Sequence, residues 1–157
     1  MPPPLLIDLE QVDLERVSLT KDEIYQRLPH RFEFRVLDGV CMLDAEGWRI
    51  VAYADITLDD WWVRGHVPSR PLLPGVLMLE MAAQTCALLA ETLGSDAFIG
   101  FGGVEDCKFR ETVVPPARLY VLGAGVEYRQ RRIVCDSQGV MDGKLVFEAR
   151  ITGLPIR

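Results

Sequence analysis

The longest apolar stretch of the chain lies near its middle and predicts one buried helix. From Gly75 to about Leu93, apolar residues cover nearly every side of a helix, and Gly94 follows where a helix commonly ends. A helix that is apolar all round is a core helix, so other elements must wrap it. The stretch carries Glu80 and Gln84. Its most apolar part, Val76–Ala90, has 15 residues and is too short and too polar to span a membrane, which takes about 20 apolar residues.

Strand-like patterns flank this helix on both sides. They cover residues 34–43, 48–58, 98–113, 117–135 and 138–152, with turns at 44–47, 115–116, 137–139 and 142–143. Asp142-Gly143 is a strong signal for a two-residue hairpin. The pattern predicts an α+β architecture in which an antiparallel sheet of about six strands wraps a single long helix.

A second, shorter helix is predicted near the N-terminus. Thr20 and Glu23 form a capping-box pattern, which predicts a helix from Lys21 to Arg27 that ends before Pro29. Residues 1–19 are interpreted as an N-terminal arm, and residues 20–157 as one domain. A chain of 157 residues has the usual size for a single domain.

Composition narrows the range of functions. The formal charge of −6 argues against nucleic acid as the main partner. The four cysteines lie far apart without histidine companions, so neither a metal site nor a disulfide framework is expected. The N-terminal Met-Pro-Pro-Pro lacks the basic region of a signal peptide. The chain is therefore predicted to be cytoplasmic, with no membrane span.

Two titratable residues stand out around the start of the long helix. Glu80 is the only charged residue between Pro71 and Ala90, and burial of a carboxyl group favours its neutral acid form. His66 lies in the preceding proline-rich loop, and an imidazole exchanges its proton near neutral pH. Together they suggest an acid–base pair. Taken singly, each has a structural explanation: Glu80 could point outward or pair with an arginine at a subunit contact, and a lone loop histidine is more often an ordinary surface residue.

Three further residues fit such a site. Pro74 and Gly75 open the helix, where a free N–H at the positive end of the helix dipole can receive negative charge from a carbonyl oxygen. Gln84 lies one turn after Glu80 and either orients its carboxyl group or is a satisfied core amide. His30 is interpreted as structural, as a wall of the same pocket.

Several motifs now make a resemblance specific. Residues 65–84, GHVPSRPLLPGVLMLEMAAQ, resemble the signature of FabZ-type (3R)-hydroxyacyl-[acyl-carrier-protein] dehydratases, in which G-H-F-P-G-R-P, P-G-V-L, a glutamate and a glutamine follow one another. Residues 28–38 (LPHRFEFRVLD), 109–115 (FRETVVP) and 142–149 (DGKLVFEA) are similar to other segments of that family. Val67 and Ser69 depart from the usual phenylalanine and glycine.

The resemblance implies a hotdog fold and a reaction. Two protomers would join their sheets edge to edge, with the histidine of one and the glutamate of the other in each site, and many members form trimers of dimers. His66 would be the base, Glu80 the acid and the Gly75 N–H the oxyanion donor, supported by Pro74 and Gln84. A 3-hydroxyacyl thioester on the phosphopantetheine of acyl carrier protein would lose water, with no metal and no other cofactor.

The sequence also offers candidate residues for contacts with the acyl chain and with the carrier protein. An apolar acyl tunnel is expected along the helix, lined by Leu77, Met78, Met81, Trp61 and Trp62. Acyl carrier proteins are acidic, so a local basic patch is expected to dock them. Arg129, Arg131 and Arg132 are the densest cluster, with Lys108 and Arg110 as the second option.

Two other functions stay open on the sequence alone. A thioesterase of the same fold would attack the thioester carbonyl with water and would not need this His–Glu pair. A non-catalytic acyl-binding subunit would keep the fold without turnover.

Overall fold

The computed structural model describes residues 1–156 and contains two α-helices. Helix α1 spans Lys21–Arg27 and has the predicted capping box: the Thr20 hydroxyl accepts from the Glu23 N–H, and the Glu23 carboxylate accepts from the Thr20 N–H. Helix α2 spans Gly75–Thr92, and Gly94 follows with φ +106°, in the left-handed region that favours glycine. Both helix predictions are confirmed.

Seven antiparallel strands form one sheet in the order β1-β2-β3-β5-β6-β7-β4. The strands are β1 (Leu19–Thr20), β2 (Gly39–Asp44), β3 (Arg49–Ile56), β4 (Phe98–Phe109), β5 (Ala117–Arg129), β6 (Arg132–Met141) and β7 (Lys144–Ile156). The predicted architecture of one long helix on an antiparallel sheet is confirmed. The count exceeds the expected six because the two-residue β1 adds to β2.

One face of the sheet packs around α2 and forms the main core. Ile50, Ala52, Ala54 and Ile56 of β3 point toward the helix side, where Leu88 of α2 is fully buried. Apolar residues enclose α2 on most of its circumference, as the all-round apolar pattern predicts. A stripe of Val76, Leu79 and Ala83 is less buried than the rest of the helix.

The N-terminal arm covers the opposite face of the sheet. Ile7 is only 3% exposed and lies in a second apolar cluster with Val51 and Tyr53 of β3. The Gln138 side chain joins arm and sheet: its amide oxygen accepts from the Leu6 N–H, and its nitrogen donates to the Pro4 carbonyl. Because of this cover, β3 is buried on both faces. The division into arm and domain stays a prediction.

Three boundaries differ from the sequence predictions. The strand predicted over residues 34–43 begins only at Gly39, as β2. Its predicted start, Phe34, belongs instead to a short 3-10 helix at Phe32–Phe34. The turn predicted at residues 137–139 is wrong, since these residues lie inside β6. The chain reverses instead between Arg129 and Arg132, which pair with each other across the hairpin.

No helix within residues 1–156 is both long and apolar enough to cross a membrane. The same part of the chain holds no group of three or more histidine, cysteine, aspartate or glutamate side chains that could bind a metal ion.

Candidate active site

His66 is held by the loop that leads into α2. Its backbone N–H donates to the Trp62 carbonyl at 2.9 Å, and its Nδ1 lies 2.7 Å from the Leu72 carbonyl oxygen. A carbonyl oxygen only accepts, so Nδ1 carries the hydrogen, and Nε2 of the neutral ring keeps its lone pair. The ring is exposed, so Nε2 is available to take a proton from a bound molecule.

The backbone after His66 is strained. Val67 has φ +54°, in the left-handed region that a β-branched residue rarely adopts. The Val67 carbonyl accepts from the Arg70 N–H at 2.9 Å, and the Leu73 N–H donates to the Val113 carbonyl at 2.9 Å. These bonds hold the loop in a shape that presents the imidazole outward.

The start of α2 offers free backbone donors. Pro74 occupies the N-cap and provides no side-chain cap, so it precedes the first helical position rather than filling it. The Pro74 carbonyl accepts from the Leu77 and Met78 N–H groups, whereas the first two helical N–H groups have no intrahelical partner. Gly75 lies close to Phe109, since a Cβ at this position would be 3.0 Å from the ring. The Gly75 N–H has no partner within the helix and is therefore suited to bind an oxyanion.

Glu80 projects from the second turn of α2 and is partly buried, with 23% of its side chain exposed. Its Oε2 accepts from the Gln84 Nε2 at 2.7 Å, and the His30 Nε2 lies 3.5 Å from the same oxygen. Gln84 contacts the carboxyl group and is also a buried amide with both ends hydrogen-bonded, so both interpretations left open for it fit the structure.

The contact between His30 and Glu80 was not predicted from the sequence. Within one chain it lies beside Glu80, whereas no hydrogen bond or ion pair joins His66 to Glu80 anywhere in residues 1–156. Burial lowers the pKa of His30 below its usual 6.5, with Glu80 opposing the shift and Arg31 adding to it. Its buried Nδ1 has no hydrogen-bond partner among the described residues. The sequence predicted His30 only as a structural wall of the pocket, without a contact to Glu80.

Tyr25 was missed altogether. Its hydroxyl donates to the Gln84 Oε1 at 2.7 Å and accepts from the Leu37 N–H at 2.9 Å. Burial raises its pKa far above the usual value, so the hydroxyl keeps its proton. Tyr25 and Gln84 lie 59 positions apart, and no local pattern in the sequence relates them.

Four of the five predicted tunnel residues line one cleft. Its volume is about 190 Å³, and its walls include Trp61, Trp62, Leu77 and Met81. Met78 is not among its lining residues and is buried in the core. The same lining includes six charged residues, so the cleft is less apolar than the expected tunnel: Lys21, Glu33, Arg35, Asp38, Asp55 and Asp60.

The predicted docking arginines lie at the β5–β6 hairpin. Arg129 and Arg132 both pair with Glu127, at 2.9 and 3.5 Å, so one carboxylate serves two guanidinium groups. Arg129 also lines a cleft of about 760 Å³ beside Gly94, beyond the C-terminal end of α2. At the other end of α2, Arg110 is paired with Glu148 at 2.7 Å. The hairpin therefore keeps the larger excess of positive charge.

Comparison with known proteins places the chain in a family. A family model described as a FabA-like domain matches residues 28–150. A 3-hydroxyacyl-[acyl-carrier-protein] dehydratase FabZ of Aromatoleum aromaticum is 36% identical over 138 residues, which cover 83% of this chain and 93% of that protein. The enzyme of the same name from Mannheimia succiniciproducens is 36% identical over 135 residues, covering 82% and 87% of the two chains.

The fold also matches a solved structure. A chain of the dehydratase heterocomplex ApeI:P from Xenorhabdus doucetiae superimposes with a TM-score of 0.73, at 14% identity, over 89% of this chain and 93% of that one. At that identity the likeness concerns the fold alone.

Proposed function

The chain belongs to the FabA-like family, and from this membership we infer that it is a 3-hydroxyacyl-[acyl-carrier-protein] dehydratase of fatty-acid biosynthesis. One observation carries the proposal on the structural side: the exposed His66 ring keeps its Nε2 free, while Glu80 is fixed by Gln84 on the adjoining helix. A base and an acid of this kind are what loss of water from a 3-hydroxyacyl thioester requires.

The reaction divides between three groups. The His66 Nε2 takes a proton from the α-carbon, and the electrons of the broken C–H bond move toward the thioester carbonyl. The Gly75 N–H donates to the carbonyl oxygen as negative charge develops on it. Glu80 then protonates the 3-hydroxyl as its C–O bond breaks, and the electron pair forms the new double bond. A trans-2-enoyl thioester and water leave, with no other cofactor needed.

We propose that the site is completed by a second copy of the chain. Strand β4 is an edge strand of 12 residues whose outer edge is unpaired within the described chain, and Phe98, Phe101 and Phe109 are exposed along it. A long, apolar, unpaired edge favours pairing with another strand. Val76, 73% exposed, continues the apolar surface onto α2. In the arrangement that the family resemblance implies, an isologous dimer through this surface would combine His66 of one protomer with Glu80 of the partner subunit.

We propose that the acyl chain enters the cleft lined by Trp61, Leu77 and Met81, of which Met81 directly follows Glu80 in α2. All four cysteines are free and three of them are buried, which suits a reducing compartment, and we propose the cytoplasm.

Turnover tests the proposal directly. The protein is incubated with a 3-hydroxyacyl thioester on acyl carrier protein, and separately with the matching trans-2-enoyl thioester. We expect interconversion of the two without release of free thiol. Thiol release in step with substrate loss would identify a thioesterase instead. Absence of any conversion over a series of chain lengths would favour a non-catalytic acyl-binding subunit.

We propose that acyl carrier protein docks at the β5–β6 hairpin. The hairpin carries Arg129, Arg131 and Arg132, and the single carboxylate of Glu127 offsets only part of their positive charge. Reversing Arg131 and Arg132 to glutamate should raise KM for the carrier-bound substrate about tenfold or more, with little effect on a short thioester mimic. The same reversal at Lys108 and Arg110 tests the second docking option and should raise KM for the carrier-bound substrate less. Equal effects on both substrates would remove the hairpin as the docking surface.

A further inference from the structure

A buried chain of hydrogen bonds connects the core to Glu80. The Leu37 N–H donates to the Tyr25 oxygen at 2.9 Å, and the Tyr25 hydroxyl donates to the Gln84 Oε1 at 2.7 Å. The Gln84 Nε2 then donates to the Glu80 Oε2 at 2.7 Å and to the Phe34 carbonyl at 2.8 Å. Tyr25 is 4% exposed and Gln84 is 1% exposed, so solvent does not compete for these bonds.

The donors and acceptors of this hydrogen-bond network can be arranged in only one direction. The Leu37 N–H can only donate, so it occupies the tyrosine oxygen as an acceptor and leaves the tyrosine hydrogen for Gln84. The Phe34 carbonyl can only accept, so the nitrogen end of the Gln84 amide must face it. Both constraints select the same amide orientation, and the nitrogen in that orientation donates to Glu80.

The direction decides which oxygen of Glu80 carries the acid proton. Oε2 accepts from Gln84 and has the His30 Nε2 3.5 Å away, whereas Oε1 has no hydrogen bond to any described residue. A carboxylic acid whose one oxygen already accepts a strong hydrogen bond places its proton on the other. Oε1 is the oxygen left to meet a substrate.

We propose that Tyr25 is a positioning residue for the reaction, which acts through the Gln84 amide to hold Glu80 with its proton on Oε1. The inference rests on the proposed function of Glu80 as the acid. Tyr25 itself does not reach the substrate in this scheme. Its hydroxyl holds the oxygen end of the amide while the Phe34 carbonyl holds the nitrogen end, and together they keep the amide nitrogen directed at Oε2.

Tyr25→Phe tests the proposal because it removes one oxygen and keeps the ring. A misplaced catalytic group can cost up to about 100-fold in rate, so we expect kcat to fall about tenfold or more, with KM changed less than about twofold. Dehydration is followed with saturating 3-hydroxyacyl carrier substrate, well below the unfolding temperature of each variant. Tyr53→Phe, at a tyrosine buried on the opposite face of the sheet, is the matched control and should keep the kcat of the wild type.

A double-mutant cycle separates positioning from a structural role. If Tyr25 acts through Gln84, then Tyr25→Phe lowers kcat in the wild type but not in a Gln84→Leu background. Loss of stability alone would lower the melting temperature and leave kcat of the folded enzyme unchanged in both backgrounds.

Two results would overturn the inference while the proposed function survives. One is a wild-type kcat for Tyr25→Phe in an enzyme that dehydrates its substrate. The other is an equal loss of kcat in both backgrounds, which would show that Tyr25 does not act through the amide. An inactive wild type would instead contradict the proposed function itself.

Discussion

Glu80→Gln and His66→Ala should each lower kcat about 10²–10⁴-fold, the range typical for removal of a general acid or base. Glutamine keeps the shape of the side chain and an oxygen that can accept from Gln84, but it has no acid proton to give. Alanine at position 66 removes the imidazole whose Nδ1 contacts the Leu72 carbonyl. That carbonyl lies in a half-exposed residue of the loop, so water can replace the lost donor.

The measurement is dehydration of a 3-hydroxyacyl carrier thioester, with circular dichroism to verify folding. Glu91→Gln is the matched control, because Glu91 is the other glutamate of α2 and pairs with Arg27 away from the site. It should retain the wild-type kcat within about twofold, as expected for a surface ion pair. Wild-type kcat in either Glu80→Gln or His66→Ala would contradict the assigned roles.

Mixing these two inactive variants should restore activity. In a two-fold dimer whose sites each combine His66 of one chain with Glu80 of the partner subunit, a mixed dimer holds one fully wild-type site. Random reassortment after joint unfolding and refolding should recover about a quarter of the wild-type activity.

The control replaces the Glu80→Gln partner with the double variant His66→Ala/Glu80→Gln. Mixed with His66→Ala, it can form no site with an intact imidazole, so activity should stay at the level of the single variants. Recovery no greater than in this control would show that both residues act from the same chain. Size-exclusion chromatography of each sample verifies that dimers have reassembled.

Local signals in the sequence were sufficient for the helices and several turns. The Thr20–Glu23 capping box, Gly94 and the Asp142-Gly143 hairpin act over a few residues, and each forms as predicted. The turn at residues 137–139 failed for a non-local reason. Gly139 is needed inside β6 because the Phe147 ring of β7 occupies the space that a side chain would take. The same residue type can signal a turn or close packing, and only the neighbouring strand distinguishes them.

The candidate site shows the same division. His66, Gly75, Glu80 and Gln84 lie within 19 consecutive residues, so their spacing and chemistry could be read from the chain directly. The contacts of Glu80 with His30, and of Gln84 with Tyr25, join segments 50 and 59 positions apart. No periodicity relates such segments, because their contact depends on how α1 and the following loop pack against α2.

The sequence by itself therefore determined the helix, the loop before it and the candidates for the acid and base, since these depend on residue types at short spacing. Only the tertiary structure decided which imidazole nitrogen is free and which carboxyl oxygen accepts. It also decided that the arm covers the outer face of the sheet. Those features follow from hydrogen bonds and packing between distant segments, where each group's partner is set by the fold and not by its neighbours in the chain.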